Sequence, residues 1–287
     1  MIDLRLRTSI ADAALETKHG KVLTPHDYNV VLTGPARVAK PDGSLLCVYL
    51  PRAIGAEAAR QAWPVLHSLA GIKTDNRGLA AGSGREVRGD QTRSRSKLVA
   101  SAIIGAIDPG GQYRYCRQTA WTGDHLTEME QVQPLLDEVS AHFAQHVPDR
   151  FAVQMGIAQR THPEWRLGQT PFTTLTVNNT YPTGVHTDKG DLGEGFSTIM
   201  VLRRGSYDGC EFVFPRYRVA IDMHSRDLLL LDAHEWHGNT LFRQREPGAE
   251  RISVVAYYRT KMQHCGTADE EEQKAHNQAR KRSHLSA

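Results

Sequence analysis

Leu175-Thr176-Val177, a Tyr181-Pro182-Thr183-Gly184 turn and then His186-Thr187-Asp188 form the stretch on which the reading of this chain rests. A β-branched run closed by a proline-glycine turn reads as a strand. Alternation beyond the turn puts His186 and Asp188 on one side. His237 follows Asp188 by 49 residues, within Trp236-His237-Gly238-Asn239, behind the run Leu228 to Leu231 and an acidic turn at Asp232. Arg251 comes 14 residues later. Two imidazoles and a carboxylate on one face of an iron leave the other face open, as non-haem Fe(II) oxygenases require. The planar fork of an arginine suits the far carboxylate of a 2-oxoacid. Alternation along Arg251-Ile252-Ser253 sets the Ser253 hydroxyl beside that fork and Tyr257 deeper on the same wall.

With 14 histidines, chance pairings need weighing. His162-Pro163-Glu164 has no strand to hold it. His234 lies three residues before His237, but His-Glu-x-His is not the HExxH of zinc peptidases. The small Gly238 after His237 leaves room for a ligand, which favours His237.

Outward from this centre, Phe151 to Ala158, Thr170 to Asn178, Phe196 to Leu202, Cys210 to Phe214, Tyr217 to Ile221, Leu228 to Leu231 and Ile252 to Tyr258 read as short strands. Upstream, 53 to 63 reads as a helix ended or kinked by Pro64. A second helix, with Pro134 in its first turn, carries Leu135, Leu136, Val139 and Phe143 on one face. Residues 1 to 50 read as a meander of short strands, Asn29 to Leu32 and Leu45 to Leu50 among them. The expectation is α+β, mainly β: a jelly-roll-like double sheet flanked by helices. One domain is expected over 1–265, with 1–150 packing on a core at 151–265. The polar tail 266–287 is expected to be frayed.

A charge of +3 over 287 residues, 40% apolar and 23% charged, excludes bulk polyelectrolyte behaviour. Cys47, Cys116, Cys210 and Cys265 form no CxxC pair, which speaks against a zinc knuckle and fits free thiols in a reducing compartment. No run of 18 apolar residues occurs, and MIDLRLRTSI lacks the apolar core of a secretory signal. An intracellular monomer without membrane contact is expected. Residues 71–97 are glycine-rich and carry Arg85, Arg88, Arg93, Arg95 and Lys97 against Glu86 and Asp90. They read either as a solvated loop or as a phosphate-contacting one.

The segment Thr170 to Arg259 resembles the TET/JBP family of Fe(II)- and 2-oxoglutarate-dependent nucleic-acid base hydroxylases. The resemblance is carried by Thr176-Val177-Asn178, by His186-Thr187-Asp188-Lys189-Gly190-Asp191 and by Gly209 to Pro215. Trp236-His237-Gly238-Asn239 and Arg251 to Val255 complete it, with Ala81 to Arg85 and Cys116 to Trp121 upstream. It implies a double-stranded β-helix (cupin-like) core, with His186, Asp188 and His237 holding Fe(II). Arg251, Ser253 and Asn178 would seat 2-oxoglutarate, with O2 as the other co-substrate. The implied substrate is a flipped-out 5-methylpyrimidine in DNA, oxidised to its hydroxymethyl form or beyond, because a methyl inside a duplex cannot reach a buried metal.

Tyr257 would line the base pocket, and Arg259 stands where the animal enzymes carry a histidine. The animal enzymes' long insert and cysteine-rich zinc region are absent, so the layout resembles the compact JBP-like and phage-encoded members. Asp191 matches a position at the base edge. A carboxylate there accepts from the N4 amino group of cytosine, which favours 5-methylcytosine over thymine. The same residue could instead cap the Lys-Gly-Asp turn. Thymine hydroxylation, an oxygenase acting on something other than nucleic acid, and a non-catalytic binder of modified DNA are the alternatives.

Overall fold

The computed structural model describes residues 1–287 apart from Thr8, Asn76, 82–84, 89–90, 95–97 and Ala287; 79, 85–88, 91–94 and 284–286 are described as backbone only. In chain order the strands begin with β1 (Ile2–Arg5), β2 (Val30–Leu32), β3 (Ala36–Ala39), β4 (Leu45–Leu50), β5 (Lys73–Thr74), β6 (Arg85–Arg88), β7 (Gln91–Ser94), β8 (Val99–Ile107) and β9 (Arg117–Gln118). They continue with β10 (Thr174–Asn179), β11 (Ser197–Arg204), β12 (Tyr207–Gly209), β13 (Phe212–Phe214), β14 (Val219–Ile221), β15 (Leu228–Leu231), β16 (Gly238–Asn239), β17 (Phe242–Gln244) and β18 (Glu250–Tyr257). The helices are α1 (Asp12–Glu16), α2 (Ala56–Leu69), α3 (Ala120–Asp124), α4 (Leu126–His146), α5 (Pro148–Arg160) and α6 (Ala268–Ser286).

The large sheet runs β1-β3-β4-β15-β11-β18-β10-β8-β5, and a smaller one runs β16-β13-β14-β2. The two face each other as a jelly roll, the mainly-β α+β architecture expected. Period-two alternation decides what each face of the large sheet meets. Leu228 and Leu230 point to a helical layer with Leu66 and Leu69 of α2 and Leu135 and Leu136 of α4. Leu229 and Leu231 point the other way, onto Phe212, Phe214, Val219 and Ile221 of the small sheet. β15 is therefore an unbroken leucine run because both of its faces are covered. Each such leucine contributes about 1.5–3 kcal/mol by leaving water.

The same alternation places Leu175 and Val177 of β10 and Ile252, Val254 and Ala256 of β18 under the helices. The residues that alternate with them, Thr176 and Asn178 on β10 and Arg251, Ser253 and Tyr257 on β18, face the space between the sheets. That space is apolar at one end and polar at the other. The polar end is the candidate site.

Several sequence expectations are corrected. Residues 151–158 are not a strand: α5 starts at Pro148 and buries Gln154 and Ala158, one turn apart, on a helical face. Pro134 lies inside α4, which starts earlier at Leu126, and Pro64 lies inside α2. In each helix an apolar stripe runs past the proline, and its burial offsets the lost hydrogen bond. Glu138 of α4 accepts the Gly55 amide at 2.6 Å, tying the two helices at the start of α2.

The first 50 residues are no meander. β3 and β4 form an antiparallel hairpin, but β1 joins β3 in parallel, and β2 crosses to the small sheet beside β14. Residues 71–97 include the β6–β7 hairpin, which carries Arg85, Arg88 and Arg93; Arg95 and Lys97 lie outside the described residues.

Over its described residues the tail is helical rather than frayed, as α6. α6 is held by Glu271, only 2% exposed, which accepts the Cys116 amide at 2.7 Å. Cys116 and Cys265 are joined as a disulfide across 149 residues, leaving Cys47 and Cys210 as buried free thiols. A polar helix with no apolar face gives no periodic signal, and a pairing at that separation is invisible in cysteine spacing. Among the described residues no helix is long and apolar enough to cross a membrane.

Candidate active site

His186 and His237 sit opposite each other in an antiparallel bridge, and Asp188 follows with its amide on the Ala233 carbonyl at 2.9 Å. One ligand-type atom from each of the three lies within 4.8 Å of the others. His186 Nε2 and His237 Nε2 stand 3.5 Å from the two oxygens of Asp188. Each Nδ1 is 2.8 Å from a backbone carbonyl, Gly184 for His186 and Glu235 for His237. Those carbonyls take the Nδ1 protons, so both Nε2 lone pairs are left for a metal.

Phe212 stacks on His237 with ring centroids 5.3 Å apart, fixing the ring from the small sheet. Burial pushes the Asp188 carboxyl up, but the two imidazoles prevail and hold it well below the usual carboxylate range. Burial and the neighbouring His237 lower His186, favouring the neutral form that ligates metal. Two nitrogens and one carboxylate oxygen with a pocket on the open side fit Fe(II).

The wall beyond this cluster is built by β10 and β18. Arg251 is 5% exposed and makes no ion pair among the described residues, so its guanidinium is a buried cation facing the pocket. A charge so placed calls for an anion. Ser253 lies two residues on, paired across the ladder with Asn178, whose Oδ1 accepts from Ser101 at 2.7 Å. That bond engages the Asn178 oxygen, so at the pocket wall its amide N–H groups are what the side chain has left to donate. Arginine, hydroxyl and amide together fit the carboxylate of a 2-oxoacid.

On the other side lie Asp191, Tyr257 and Arg259. Asp191 accepts a hydrogen bond from Ser197, and burial together with the Asp188 charge pushes its carboxyl up to about 8. The Tyr257 hydroxyl is tied to Thr176 at 3.1 Å, leaving its ring to line the pocket. Arg259 Nε donates to Asp108 at 2.6 Å, so part of its fork is already engaged.

The competing histidines, His234 for His237 and His162 for His186, do not line the pocket. His234 faces Asp232 at 3.4 Å, and His162 faces Glu164 at 2.8 Å. Sequence reasoning missed Arg77, which enters the pocket from the turn before β6 with its Nε unpartnered. Burial works against its charge, but the phenols of Tyr181 and Tyr257 and the Asp188 carboxylate outweigh it and raise its pKa. It sits in Thr74-Asp75-Asn76-Arg77-Gly78, and nothing in its spacing gives it away. Gly238 also has a different job from the one expected. A Cβ there would meet the Val185 backbone at 3.1 Å, so it allows two chains to approach rather than making room for a ligand.

A jelly roll with this His-x-Asp…His cluster at its polar end is the architecture of the 2-oxoglutarate- and Fe(II)-dependent oxygenases. The chain belongs to the Tet_JBP family, the oxygenase domain of the 2OGFeDO superfamily, through residues 109–260. Fe(II), 2-oxoglutarate and O2 are the cofactor and co-substrates of that superfamily. Thymine dioxygenase JBP1 of Trypanosoma brucei brucei is 34% identical over 173 residues, 55% of this chain and 20% of that protein. Thymine dioxygenase JBP1-A of Trypanosoma cruzi (strain CL Brener) is 31% identical over 216 residues, 74% of this chain and 24% of that protein. The chain thus spans about a fifth to a quarter of the curated relatives it matches. NgTET1 in complex with 5mC DNA shares the fold at a TM-score of 0.56 and 14% identity, over 93% of this chain and 99% of that one.

Proposed function

We propose that this chain is a 2-oxoglutarate-dependent dioxygenase that hydroxylates the methyl group of a 5-methylpyrimidine in DNA, 5-methylcytosine being the base preferred. One observation carries the reading: a His-Asp-His cluster within 4.8 Å and a buried arginine without an ion pair among the described residues open into one pocket. His186, Asp188 and His237 hold Fe(II), which with 2-oxoglutarate and O2 supplies the oxidising power for a C–H bond. Arg251 binds the far carboxylate of the 2-oxoacid, with Ser253 and Asn178 donating beside it. Tyr257 offers a ring against the face of an extruded base, and the buried walls exclude water. Arg259 is held by Asp108 at the pocket edge. The β6–β7 hairpin, with Arg85, Arg88 and Arg93, and the segment holding Arg95 and Lys97 supply cations for flanking phosphates.

Base choice rests on Asp191. As a carboxylate it accepts from the cytosine amino group and opposes the thymine carbonyl. Thymine is the second reading, favoured by the relatives, which are thymine dioxygenases. It also gains from Asp191 itself, since a carboxyl pushed up to about 8 carries a proton at neutral pH and could donate to that carbonyl. Iron on Asp188 would cancel part of the charge that keeps the proton there, returning Asp191 toward an acceptor.

The deciding experiment incubates cytosine-methylated DNA and unmethylated, thymine-containing DNA with Fe(II), 2-oxoglutarate and O2, then identifies the nucleosides. Hydroxymethylcytosine from the first supports the preferred base, and hydroxymethyluracil from the second supports thymine. Neither product, in a protein that binds iron and 2-oxoglutarate, would sink the DNA reading. The protein is proposed to act as an intracellular monomer.

A further inference from the structure

Resting on that DNA reading, we propose that the groove between the 110–114 turn and α6 docks the phosphate backbone of the duplex flanking the target base. Arg114, Lys274, Lys281 and Arg282 line this groove with Asn277 and Gln278, and among the described residues no carboxylate lines it. Glu271, under Lys274 at 2.5 Å, is buried and neutralises that lysine. Cations in the last turns of a helix ordinarily offset the helix dipole. That accounts for Lys281 and Arg282. It does not account for Arg114, which comes from a different segment onto the same groove, nor for Lys274 near the middle of α6.

The support is rigid, which a solvated charge run would not need. Gln278 accepts the Arg114 amide at 3.0 Å and also donates to the Gln112 carbonyl, which Arg282 shares. The Cys116–Cys265 bond and the Glu271–Cys116 contact fix both walls. The side chains of Arg114, Lys274, Lys281 and Arg282 are nonetheless exposed to solvent.

The groove is also close to the pocket. Arg259 at the pocket is bonded to Asp108, and Gly111 at the groove is three residues beyond Asp108. Three residues span at most about 11 Å, the rise of roughly three base pairs. That is the reach from Asp108, beside the pocket, to the near end of the groove, so phosphates held in the groove would lie a few base pairs from an extruded nucleotide. Fixed cations there hold the duplex while one base is out of the stack. The charge complementarity and the spacing together point to duplex DNA.

The test is fluorescence anisotropy of a labelled 20-base-pair duplex with the full chain, comparing wild type, the double variant Arg114→Gln/Lys281→Gln and the charge-keeping Lys281→Arg. The double variant should bind about tenfold more weakly. Its plot of log affinity against log salt should be shallower by about two, because each lost phosphate contact retains close to one counterion. Lys281→Arg should bind like wild type. Unchanged affinity and slope in the double variant, with its melting temperature intact, overturn the proposal. An RNA duplex of the same sequence that binds more tightly than the DNA also overturns it, as does equal loss in Lys281→Arg. None of these readouts needs oxidation. Wild type that binds duplex through the groove yet leaves every base unoxidised would uphold the docking surface and remove the oxygenase reading.

Discussion

His186 and His237 exchange both of their backbone hydrogen bonds, N–H of each to C=O of the other, at 2.9 and 3.0 Å. The two proposed ligands are therefore a directly opposed ladder pair, with ring centroids 4.3 Å apart. Their spacing is set by the backbone before any metal arrives. Gly238 lets that pair close, because a Cβ there would meet the Val185 backbone at 3.1 Å, tighter than ordinary contact. Gly238→Val should force the two segments apart and lower Fe(II) affinity at least tenfold, read by anaerobic titration. Affinity within a factor of two of wild type would show that the ligands are not placed by this bridge.

Arg251 is a buried cation without an ion pair among the described residues. Arg251→Lys keeps the charge but loses the planar fork, so the KM for 2-oxoglutarate should rise about tenfold or more. Arg251→Met should abolish 2-oxoglutarate binding, yet raise the stability of the metal-free protein by about 1–2 kcal/mol, since an uncompensated buried charge is removed. Calorimetry and urea titration read the two effects separately. Loss of both binding and stability in Arg251→Met would mean that the guanidinium is a structural group.

Glu235 holds His237 at one remove. Its carbonyl accepts the Nδ1 bond, while its carboxylate takes Lys40 at 2.9 Å, Arg216 at 3.0 Å and Tyr217 at 3.0 Å. Glu235→Ala frees the loop that carries the ligand. Iron affinity should fall roughly 10- to 100-fold, the range for lost support behind a metal ligand. His237→Ala should abolish metal binding outright. Equal effects of the two substitutions would place Glu235 in the metal site itself.

Asp191 gives the metal-free protein an unusual pH dependence. Its folded value of about 8 lies above that of an unfolded aspartate, so between about pH 4 and 8 the folded state holds the extra proton. The sign follows: the contribution to stability is complete below pH 4 and is lost as pH rises toward 8. Asp191→Asn should remove this slope and be the more stable protein at pH 8.5, by about 2–4 kcal/mol. Parallel unfolding curves for both proteins from pH 5 to 8.5 would show that Asp191 is ionised throughout.

Much of the site was legible because strand periodicity carries it. Arg251, Ser253 and Tyr257 alternate with Ile252, Val254 and Ala256, and that single pattern tells which residues meet helices and which meet the pocket. β15 was equally clear from four leucines between turn signals. What escaped was anything settled by contacts remote in sequence. α5 has β-branched residues that suggest a strand, but its burial is decided by packing against the sheet. Pro64 and Pro134 look like helix boundaries, and only the apolar stripes running past them show otherwise. Arg77 has no local pattern at all; its role comes from where a turn happens to return over the jelly roll.

The Cys116–Cys265 bond encloses every strand from β10 to β18, together with all three proposed metal ligands, in one covalent ring. A single protease nick within residues 117–264 would therefore leave both fragments attached, migrating as one species until a reductant is added. In an oxidised sample an intact band on a gel is thus no proof of an intact backbone.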